Sequence, residues 1–280
     1  MTQEKKTKLV EVPSSSFIPE RDAGKIPVLD IRNLGIDFGG LTAVDGFSIT
    51  IGPTEIAGLI GPNGAGKTTI FNLLTNVYQP TRGSVLLRGV DTKGMTTAQV
   101  NRLGIARTFQ NIRLFDKMSV LDNVKVGMHK DISCSFAASI LHTPGYHRAE
   151  KAADERCMEL LDFMGMADLA KQQAGSLPYG AQRRLEIVRA LATRPVIILL
   201  DEPAAGMNPS ETAELMDHIR RIRDTFEIAI MLIEHDMSLV MGVCEGIAVL
   251  NYGKIIAKGT PEQIKANPTV IEAYLGKKGG

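Results

Sequence analysis

The sequence predicts an α/β fold into which a helical segment is inserted, and three observations lead to this prediction. Short apolar runs typical of strands alternate with stretches of helical spacing along most of the chain. A glycine-rich loop, GPNGAGKTT, follows the strand-like run EIAGLI and precedes the helix-like run TTIFNLLTNV. The middle third has helical spacing between strand-rich flanks. Alternating strands and helices are typical of an α/β core.

The composition is that of an average soluble globular protein. The 280 residues suffice for one large or two ordinary domains with a sizeable core. Hydrophobic residues make up 44% of the chain and charged residues 22%, and the formal net charge is +1. This balance favours neither nucleic acid nor an acidic surface as a partner, so we expect no nucleic acid to bind.

The three cysteines could form disulfides, and one of them lies near two histidines with which it could bind a metal. Cys134, Cys157 and Cys244 are widely spaced and form no CxxC pair, so we expect reduced, buried thiols in a cytosolic protein. Cys134 also lies near His142 and His147, but their spacing matches no common ligand pattern. Helix surface and loop is the preferred interpretation of this segment.

The apolar runs exclude a membrane-spanning role for this chain. No apolar segment follows the early lysines, so no secretory signal is expected. No run approaches the ~18 residues that cross a bilayer. If the protein serves a membrane process, another chain must do the spanning.

The chain divides into a polar extension and one long domain. Residues 1–27 are polar and have no sustained period, so we expect a flexible N-terminal extension. From Val28 the sequence changes to strand-like runs, and the predicted domain covers 28–276. Within it, a helical subdomain occupies about 112–190, and 236–276 forms a C-terminal segment.

Helix starts can be predicted from capping residues. Ser119 is a good N-cap with Asp122 three positions later, and Thr260 with Gln263 forms a capping box. A further helix should begin at about Pro209. A buried helix face is predicted by apolar residues at three- and four-residue intervals, namely Cys157, Leu160, Leu161 and Met164.

The glycine-rich loop fits the phosphate-binding pattern G-x-x-x-x-G-K-[ST], with Lys67 and Thr68 in the closing positions. Glycines are needed because successive backbone N–H groups must wrap phosphates without a Cβ in the way. Lys67 would neutralise phosphate charge, and the Thr68 hydroxyl would bind Mg²⁺. The alternative, a merely flexible turn, is disfavoured by the strand-loop-helix context. The candidate ATP-binding residues of the loop are Gly61, Pro62, Asn63, Gly64, Ala65, Gly66, Lys67, Thr68 and Thr69.

The run VIILLDEP predicts a buried parallel strand that ends in Asp201 and Glu202. Ligands of α/β sheets bind at the carboxyl ends of the strands. Asp201 is therefore a candidate Mg²⁺ ligand, and Glu202 is a candidate base for an attacking water. The alternative is a pair of surface acids that close a strand, which the phosphate loop makes the weaker interpretation.

Two more polar residues complete the candidate catalytic set. His235 in LIEHDM ends another apolar strand and can reach the same sheet edge, although a lone histidine is more often structural. Gln110 in ARTFQN lies where the strand-rich half gives way to the helical insertion. The candidate catalytic residues are thus Glu202, His235 and Gln110.

The motifs occur in one order: the phosphate loop, FQN, LPYGAQRR, LLDEPAAGMNP and IEHD, with a helical stretch between the second and third. This set resembles the ATP-binding cassette (ABC) ATPases, from about Val28 to Gly276. The discriminating motif is the glycine-containing turn before a helix just upstream of the acidic strand, the ABC signature. The resemblance implies a P-loop NTPase ABC ATPase core with an antiparallel β subdomain and an inserted α-helical subdomain.

The resemblance also implies roles for single residues. Phe38 would stack on adenine, and His235 would be the switch histidine. Gln110 would be the Q-loop residue and, with Thr68 and Asp201, a ligand of Mg²⁺. Each of these roles belongs to the family pattern and is an expectation for this chain.

The signature of the family commonly has the sequence Leu-Ser-Gly-Gly-Gln. Here Leu177 and Gly180 match, whereas Pro178, Tyr179 and Ala181 depart. The resemblance implies that the signature acts on the γ-phosphate of the opposite subunit, mainly through the Gly180 N–H and the helix N-terminus. Loss of the serine hydroxyl removes one hydrogen bond, about 1.5–3 kcal/mol when the partner is charged. The residues expected to act in trans are Leu177, Pro178, Tyr179, Gly180, Ala181 and Gln182.

Finer features resemble the ATP-binding subunits of bacterial branched-chain amino acid importers. They are FGGLTAVDGFS, GIARTFQNIRLFDKMSVLDNV, ILHTPGYHRAE and LPYG. Pro-Tyr is ordinary at these two signature positions in that subfamily, so the loop is interpreted as intact. Asn208 departs from the Asp that the family's D-loop usually has.

The resemblance implies an ATPase subunit at the cytoplasmic face of the bacterial inner membrane, held there by transmembrane permease chains. It would take ATP and Mg²⁺ and would close on a second ABC ATPase chain or on a copy of itself. A periplasmic amino-acid-binding protein would act through the permease. Hydrolysis would drive the uptake of leucine, isoleucine and valine.

Four alternatives compete with this function. Within uptake, the alternative is an importer of urea or short amides. Lipopolysaccharide export ATPases share much of the core, but the FQNIRLF segment of this chain is less similar to theirs. Non-transport ABC ATPases usually carry two cassettes or a long coiled coil, and this chain has neither a heptad run nor a basic face. A simple P-loop nucleotide kinase is disfavoured by LPYG and by the acidic pair.

Overall fold

The computed structural model describes residues 27–128 and 144–275. The predicted extension, 1–27, lies outside these ranges except for its last residue. Cys134, His142 and the side chain of His147 also lie outside the described part of the chain. Among the residues that are described, no group of three or more His, Cys, Asp or Glu side chains could hold a metal ion by itself.

Strands and helices alternate along the described chain. The strands are β1 (Leu29–Phe38), β2 (Leu41–Ile51), β3 (Ile56–Ile60), β4 (Arg82–Leu87), β5 (Val90–Asp91), β6 (Ile105–Arg107), β7 (Ile197–Asp201), β8 (Ala229–Ile233), β9 (Gly246–Asn251) and β10 (Lys254–Gly259). The helices are α1 (Lys67–Leu74), α2 (Thr97–Leu103), α3 (Val120–Gly127), α4 (Pro144–Phe163), α5 (Tyr179–Ala192), α6 (Pro209–Phe226), α7 (Met237–Val243), α8 (Pro261–Lys265) and α9 (Pro268–Leu275).

The strands form two sheets of different kinds. The first is antiparallel, with the order β2-β1-β4-β5. The second has the order β10-β9-β3-β8-β7-β6, in which β9 pairs antiparallel with β10 and the other neighbours are parallel. The predicted α/β core with an antiparallel β subdomain is confirmed.

The register of the parallel strands brings three strand ends to one edge of the sheet. In β8, Ile233 pairs with Leu59 of β3 on one side and with Asp201 of β7 on the other. The glycine-rich loop, Glu202 and His235 each follow one of these strand ends, and such an edge is where parallel α/β sheets bind ligands.

The central strands are buried along their whole length, since β3, β7 and β8 have no exposed position. Their side chains alternate between two faces. Ile198 and Leu200 of β7 belong to one hydrophobic core, and Ile197 and Leu199 belong to the other. Continuous apolar runs are therefore typical of strands that helices or a second sheet cover on both faces.

The helical insertion shares the first of these cores. Of the four residues predicted to form a buried helix face, Cys157, Leu160 and Leu161 lie in α4 and Met164 directly follows it, and all four are at most 3% exposed. They pack with Val120 and Val124 of α3 and Leu185 of α5. No helix within the described ranges is both long and apolar enough to cross a lipid bilayer.

The predicted helix starts are confirmed, and each is held by local hydrogen bonds. The Ser119 hydroxyl accepts from the Asp122 amide at 3.0 Å, and Thr260 forms a complete capping box with Gln263. Asn208 caps α6 through the amides of Ser210 and Glu211, so the residue that departs from the D-loop pattern has a structural role here. Helix α2, with its own capping box, was not predicted.

Gly83 and Gly94 offer a matched test of how closely β4 approaches β1. Both have a left-handed φ, +78° and +76°. A Cβ on Gly83 would lie 2.3 Å from the Asn33 carbonyl oxygen, whereas a Cβ on Gly94 would meet nothing within 4 Å. The β1–β4 register shifts between Arg32 and Gly35, as expected at a bulge.

We expect Gly94→Ala to lower the free energy of unfolding by about 1–2 kcal/mol, the cost of a left-handed alanine. Gly83→Ala should lose a further ~1–3 kcal/mol because its Cβ overlaps backbone that cannot move aside easily. Chemical denaturation of both variants measures the difference. Equal losses would show that β1 and β4 are not in close contact at this point.

Candidate active site

The glycine-rich loop joins β3 to α1 and depends on glycine at its ends. Gly61 and Gly66 have φ of +153° and +103°. A Cβ on Gly61 would lie 2.1 Å from the Leu250 carbonyl oxygen, and a Cβ on Gly66 would lie 2.9 Å from that of Ala43. The two ends of the loop thus pack closely against β9 and β2, and no residue larger than glycine fits at either end.

Lys67 points back into this loop. Its Nζ donates to the carbonyl oxygens of Gly61 at 2.6 Å and Pro62 at 2.9 Å. Burial lowers the pKa of the Lys67 ammonium, and the charges of Glu202 and Asp201 oppose that shift. A partly desolvated ammonium at a helix N-terminus is a suitable partner for phosphate oxygens. The glycine-rich loop with Lys67 therefore fits the phosphates of a nucleoside triphosphate.

The candidate catalytic residues converge on one carboxylate. Gln110 Nε2 donates to Glu202 Oε2 at 2.9 Å, and His235 Nε2 lies 2.7 Å from Glu202 Oε1. Glu202 has a left-handed φ of +49°. Its amide donates to the Ile233 carbonyl oxygen at 2.9 Å, which joins the end of β7 to the end of β8. The predicted set is thus assembled from three distant segments.

Asp201 is held by a residue that sequence reasoning missed. Arg107 Nη2 donates to Asp201 Oδ2 at 2.7 Å, and both side chains are nearly buried, at 6% and 3% exposed. The Arg107 guanidinium lies over the Phe71 and Phe109 rings. Its position at the end of β6, beside the strand that carries Asp201, is the signal that could have identified it.

Glu234 is a second residue that was missed. It is 3% exposed and immediately precedes His235. Its Oε1 accepts from the Ala204 amide at 2.7 Å, and its Oε2 accepts from the His235 amide at 2.9 Å. Burial raises the pKa of the Glu234 carboxyl, whereas these amide hydrogen bonds lower it. Glu234 therefore ties the turn after Glu202 to the turn that carries His235.

The candidate Mg²⁺ ligands Thr68, Asp201 and Gln110 supply oxygen donors, which this hard cation prefers. Gln110 uses Nε2 toward Glu202, so its side-chain oxygen remains for a cation. One Asp201 oxygen accepts from Arg107. Mg²⁺ is usually bound through one or two carboxylates together with substrate phosphates and water, and this donor set, which contains one carboxylate, fits that pattern.

Phe38 ends β1 at the hairpin that adjoins the glycine-rich loop. Phe38 is 42% exposed. It meets the Tyr78 ring edge-on, with centroids 5.2 Å apart. The next strand, β2, contributes the Ala43 carbonyl that faces Gly66. An exposed aromatic face at this place is able to stack on a base, as the family pattern implies.

The signature segment begins α5, with Pro178 as the N-cap residue and no side-chain cap. Pro178 and Tyr179 are exposed, whereas Leu177 and Gly180 are buried in their own chain. Gln182 Nε2 donates to the Leu177 carbonyl at 2.9 Å and so closes the turn. A Cβ on Gly180 would lie 3.0 Å from Glu211 Oε1. Acidic substitutions of Gly180 would therefore disturb α6 as well as any partner.

The C-terminal helix α9 lies beside the phosphate loop. Residues 62–65 of the loop line one cavity together with Thr269, Glu272 and Ala273 of α9. Burial raises the pKa of the Tyr274 hydroxyl, and a hydrogen bond with the Gly61 backbone opposes that shift. The C-terminal segment is thus part of the surroundings of the nucleotide site.

These features define a P-loop nucleoside triphosphatase, with a lysine inside a glycine-rich loop and an acidic pair at the neighbouring strand end. A family model described as ABC transporter matches residues 44–205. The chain belongs to the ABC transporter family of ATP-binding cassettes, and as such it is an ATP-hydrolysing subunit. A second model, described as branched-chain amino acid ATP-binding cassette transporter, matches residues 254–279.

Relatives are similar in sequence to this chain over nearly its whole length. The high-affinity branched-chain amino acid transport ATP-binding protein LivG of Escherichia coli K12 is 48% identical over 251 residues, covering 90% of this chain and 98% of that protein. The corresponding protein BraF of Pseudomonas aeruginosa is 45% identical with the same coverage. A crystal structure of an ABC transporter cassette in its ADP conformation is 30% identical, with a TM-score of 0.78, and covers 90% of this chain and 100% of that chain.

The position of Glu234 leads to a prediction about turnover. Glu234→Gln should lower kcat roughly ten-fold or more, because an amide NH₂ replaces one acceptor of a charge-assisted hydrogen bond. KM for ATP should change little, since the phosphate loop is not touched. Steady-state ATPase assays at several ATP concentrations separate the two parameters.

Asp236→Asn is the matched control, because it lies in the same turn and keeps the oxygen that caps α7. It should retain nearly normal kcat. If Glu234→Gln and Asp236→Asn behave alike, Glu234 does not hold the catalytic turns.

Proposed function

We propose that this chain is the ATP-hydrolysing subunit of a bacterial ABC importer for the branched-chain amino acids leucine, isoleucine and valine. The observation that supports hydrolysis is the convergence of Gln110 and His235 on the Glu202 carboxylate. The solute is supported by relatives that are named for branched-chain amino acid transport and by the C-terminal model match.

In the proposed mechanism, residues 61–69 wrap the phosphates of ATP, and Lys67 supplies the positive charge. Glu202 accepts a proton from the attacking water. Gln110 and His235 hold its two oxygens, so the carboxylate keeps one orientation during the reaction. When bound, Mg²⁺ would neutralise charge that develops on the phosphate oxygens. Phe38 would stack on the adenine ring.

The proposed working unit is a dimer of cassettes, formed with a second ABC ATPase chain or with another copy. The signature residues 177–182 would then face the ATP that is bound to the partner's phosphate loop. The proposed domain, 28–276, would contribute its helical subdomain, about 112–190, to this closure. The pair would lie at the cytoplasmic face of the inner membrane, held by permease chains that receive solute from a periplasmic amino-acid-binding protein.

The proposed contact with the permease is the surface Asn111–Phe115, just after Gln110. Arg113 is exposed and stacks on the Phe109 ring at 4.2 Å, and Phe115 is 49% exposed. An apolar and basic surface next to the Q-loop residue is well placed to pass the nucleotide state to a cytoplasmic helix of the permease.

The role of Glu202 as the base can be tested by replacing its carboxylate with the isosteric side-chain amide of glutamine. Glu202→Gln should keep ATP binding and slow turnover about 10²-fold or more, because the amide cannot take the proton from water. An ATP-bound dimer should accumulate, and gel filtration with ATP detects it. Glu214→Gln, at an acid that is 61% exposed on α6, is the control. Wild-type turnover with no dimer would contradict the assignment of Glu202.

The permease contact can be tested by disulfide or short-spacer crosslinking. A cysteine at Arg113 should crosslink to a cysteine in the permease's cytoplasmic helix, in a manner that depends on nucleotide. A cysteine at Lys151, which is 80% exposed on α4, is the control. The unaltered chain, in which Cys157 and Cys244 are buried, supplies the background. Crosslinking from Lys151 with none from Arg113 would place the permease elsewhere.

A further inference from the structure

A buried arginine on the signature helix joins parts of the molecule that lie far apart in sequence. Arg183 is 3% exposed. Its Nη1 donates to the Phe109 carbonyl at 2.7 Å, and its Nη2 donates to the Gln110 carbonyl. The guanidinium thus fixes the backbone of the residue whose side chain holds Glu202.

The same guanidinium binds Tyr179 of the signature segment. Arg183 Nη2 and Nε donate to the Tyr179 hydroxyl at 2.8 and 3.2 Å. Tyr179 is 45% exposed, and its ring lies against Gly206, where a Cβ would be 3.1 Å from Tyr179 Cε1. One side chain of the signature therefore contacts both Arg183 and the turn that follows Glu202.

A carboxylate on the next helical turn completes this arrangement. Glu186 lies 3.3 Å from Arg183, and it accepts from the Arg113 amide at 2.8 Å. Burial raises the pKa of the Glu186 carboxyl, and the Arg113 amide hydrogen bond together with the charges of Arg183 and Arg189 opposes that shift. Arg189 Nη1 donates to the Arg113 carbonyl at 2.6 Å. Helix α5 thus holds the Q-loop segment, 109–113, at both of its ends.

We propose that Arg183 is a positioning residue that couples the Tyr179 hydroxyl to the backbone of Gln110 within one chain. A shift of the signature loop moves the Tyr179 hydroxyl, and the rigid guanidinium fork passes that shift to Gln110. Gln110 in turn sets the orientation of Glu202 through its 2.9 Å hydrogen bond. The state of one nucleotide site, felt at the signature, thereby controls the base of the other site. This inference rests on the proposed dimeric ATPase.

Tyr179→Phe is the variant of choice because it removes the hydroxyl alone. The ring stays against Gly206 and the side chain is half exposed, so we expect the fold to be retained, which circular dichroism and thermal unfolding of the variant check. In the full-length chain within the assembled transporter, kcat for ATP should fall at least about five-fold, the lower end of ordinary coupling between sites. The Hill coefficient for ATP should fall toward one, while ATP binding to the lone subunit should be unchanged.

A double-mutant cycle with Gln110→Ala separates coupling from a merely structural effect. If Tyr179 acts through Gln110, Tyr179→Phe should have little further effect in the Gln110→Ala background. Additive losses would mean that Tyr179 acts on the partner's ATP directly, and they would overturn the proposal. Unchanged kcat and Hill coefficient in Tyr179→Phe would overturn it as well.

Two further variants keep the outcomes distinct. Arg183→Gln combined with Glu186→Gln neutralises the buried pair and should reproduce the loss of cooperativity, whereas Arg184→Gln, at the neighbouring half-buried arginine, should not. The unaltered complex tests the function on which the inference rests. If it does not hydrolyse ATP, the proposed function fails. If it does and the cycle is additive, only the role of Arg183 fails.

Discussion

Parallel pairing of β8 with both β3 and β7 is the constraint on which the site depends. Ile233 pairs with Leu59 on one side and Asp201 on the other, so three loops leave the sheet at one level. The Glu202 amide then reaches the Ile233 carbonyl, and the left-handed backbone at Glu202 is held in place. A shift of one strand by one residue in this register would move its side chains to the opposite face and separate the candidate catalytic groups.

The electrostatics of the site follow from this gathering of strand ends. Asp201, Glu202 and Glu234 bring negative charge to one edge of a buried sheet, where burial penalises ionised groups. Lys67 and Arg107 supply compensating charge, and backbone amides bind Glu234. Such groups would be costly without partners, since breaking a buried pair typically costs about 3–5 kcal/mol. The arrangement favours an anionic, cation-bound substrate.

The helical insertion is connected to this edge through α5 and the segment after β6. Arg183 and Glu186 bind the backbone at the two ends of that segment, and the side chain of Gln110, at its first end, reaches Glu202. The insertion is therefore connected to the Glu202 carboxylate through contacts that do not pass through the sheet. A ligand that binds one arrangement of the insertion more tightly than another would shift the population toward the arrangement that it prefers.

Local features were determined by the sequence alone. The caps at Ser119, Asn208 and Thr260 need partners only a few residues away, so short-range chemistry specifies them. The glycine-rich loop was recognisable from its residue pattern, although the contacts of Gly61 and Gly66 with β9 and β2 are set by the tertiary structure. The apolar runs of β7 and β8 likewise predict burial. Only the tertiary structure decided which polar residues meet. Gln110 and Glu202 are 92 positions apart, and Arg183 and Gln110 are 73 apart. Such pairs form only after strand order and register have been set, and no local pattern encodes either.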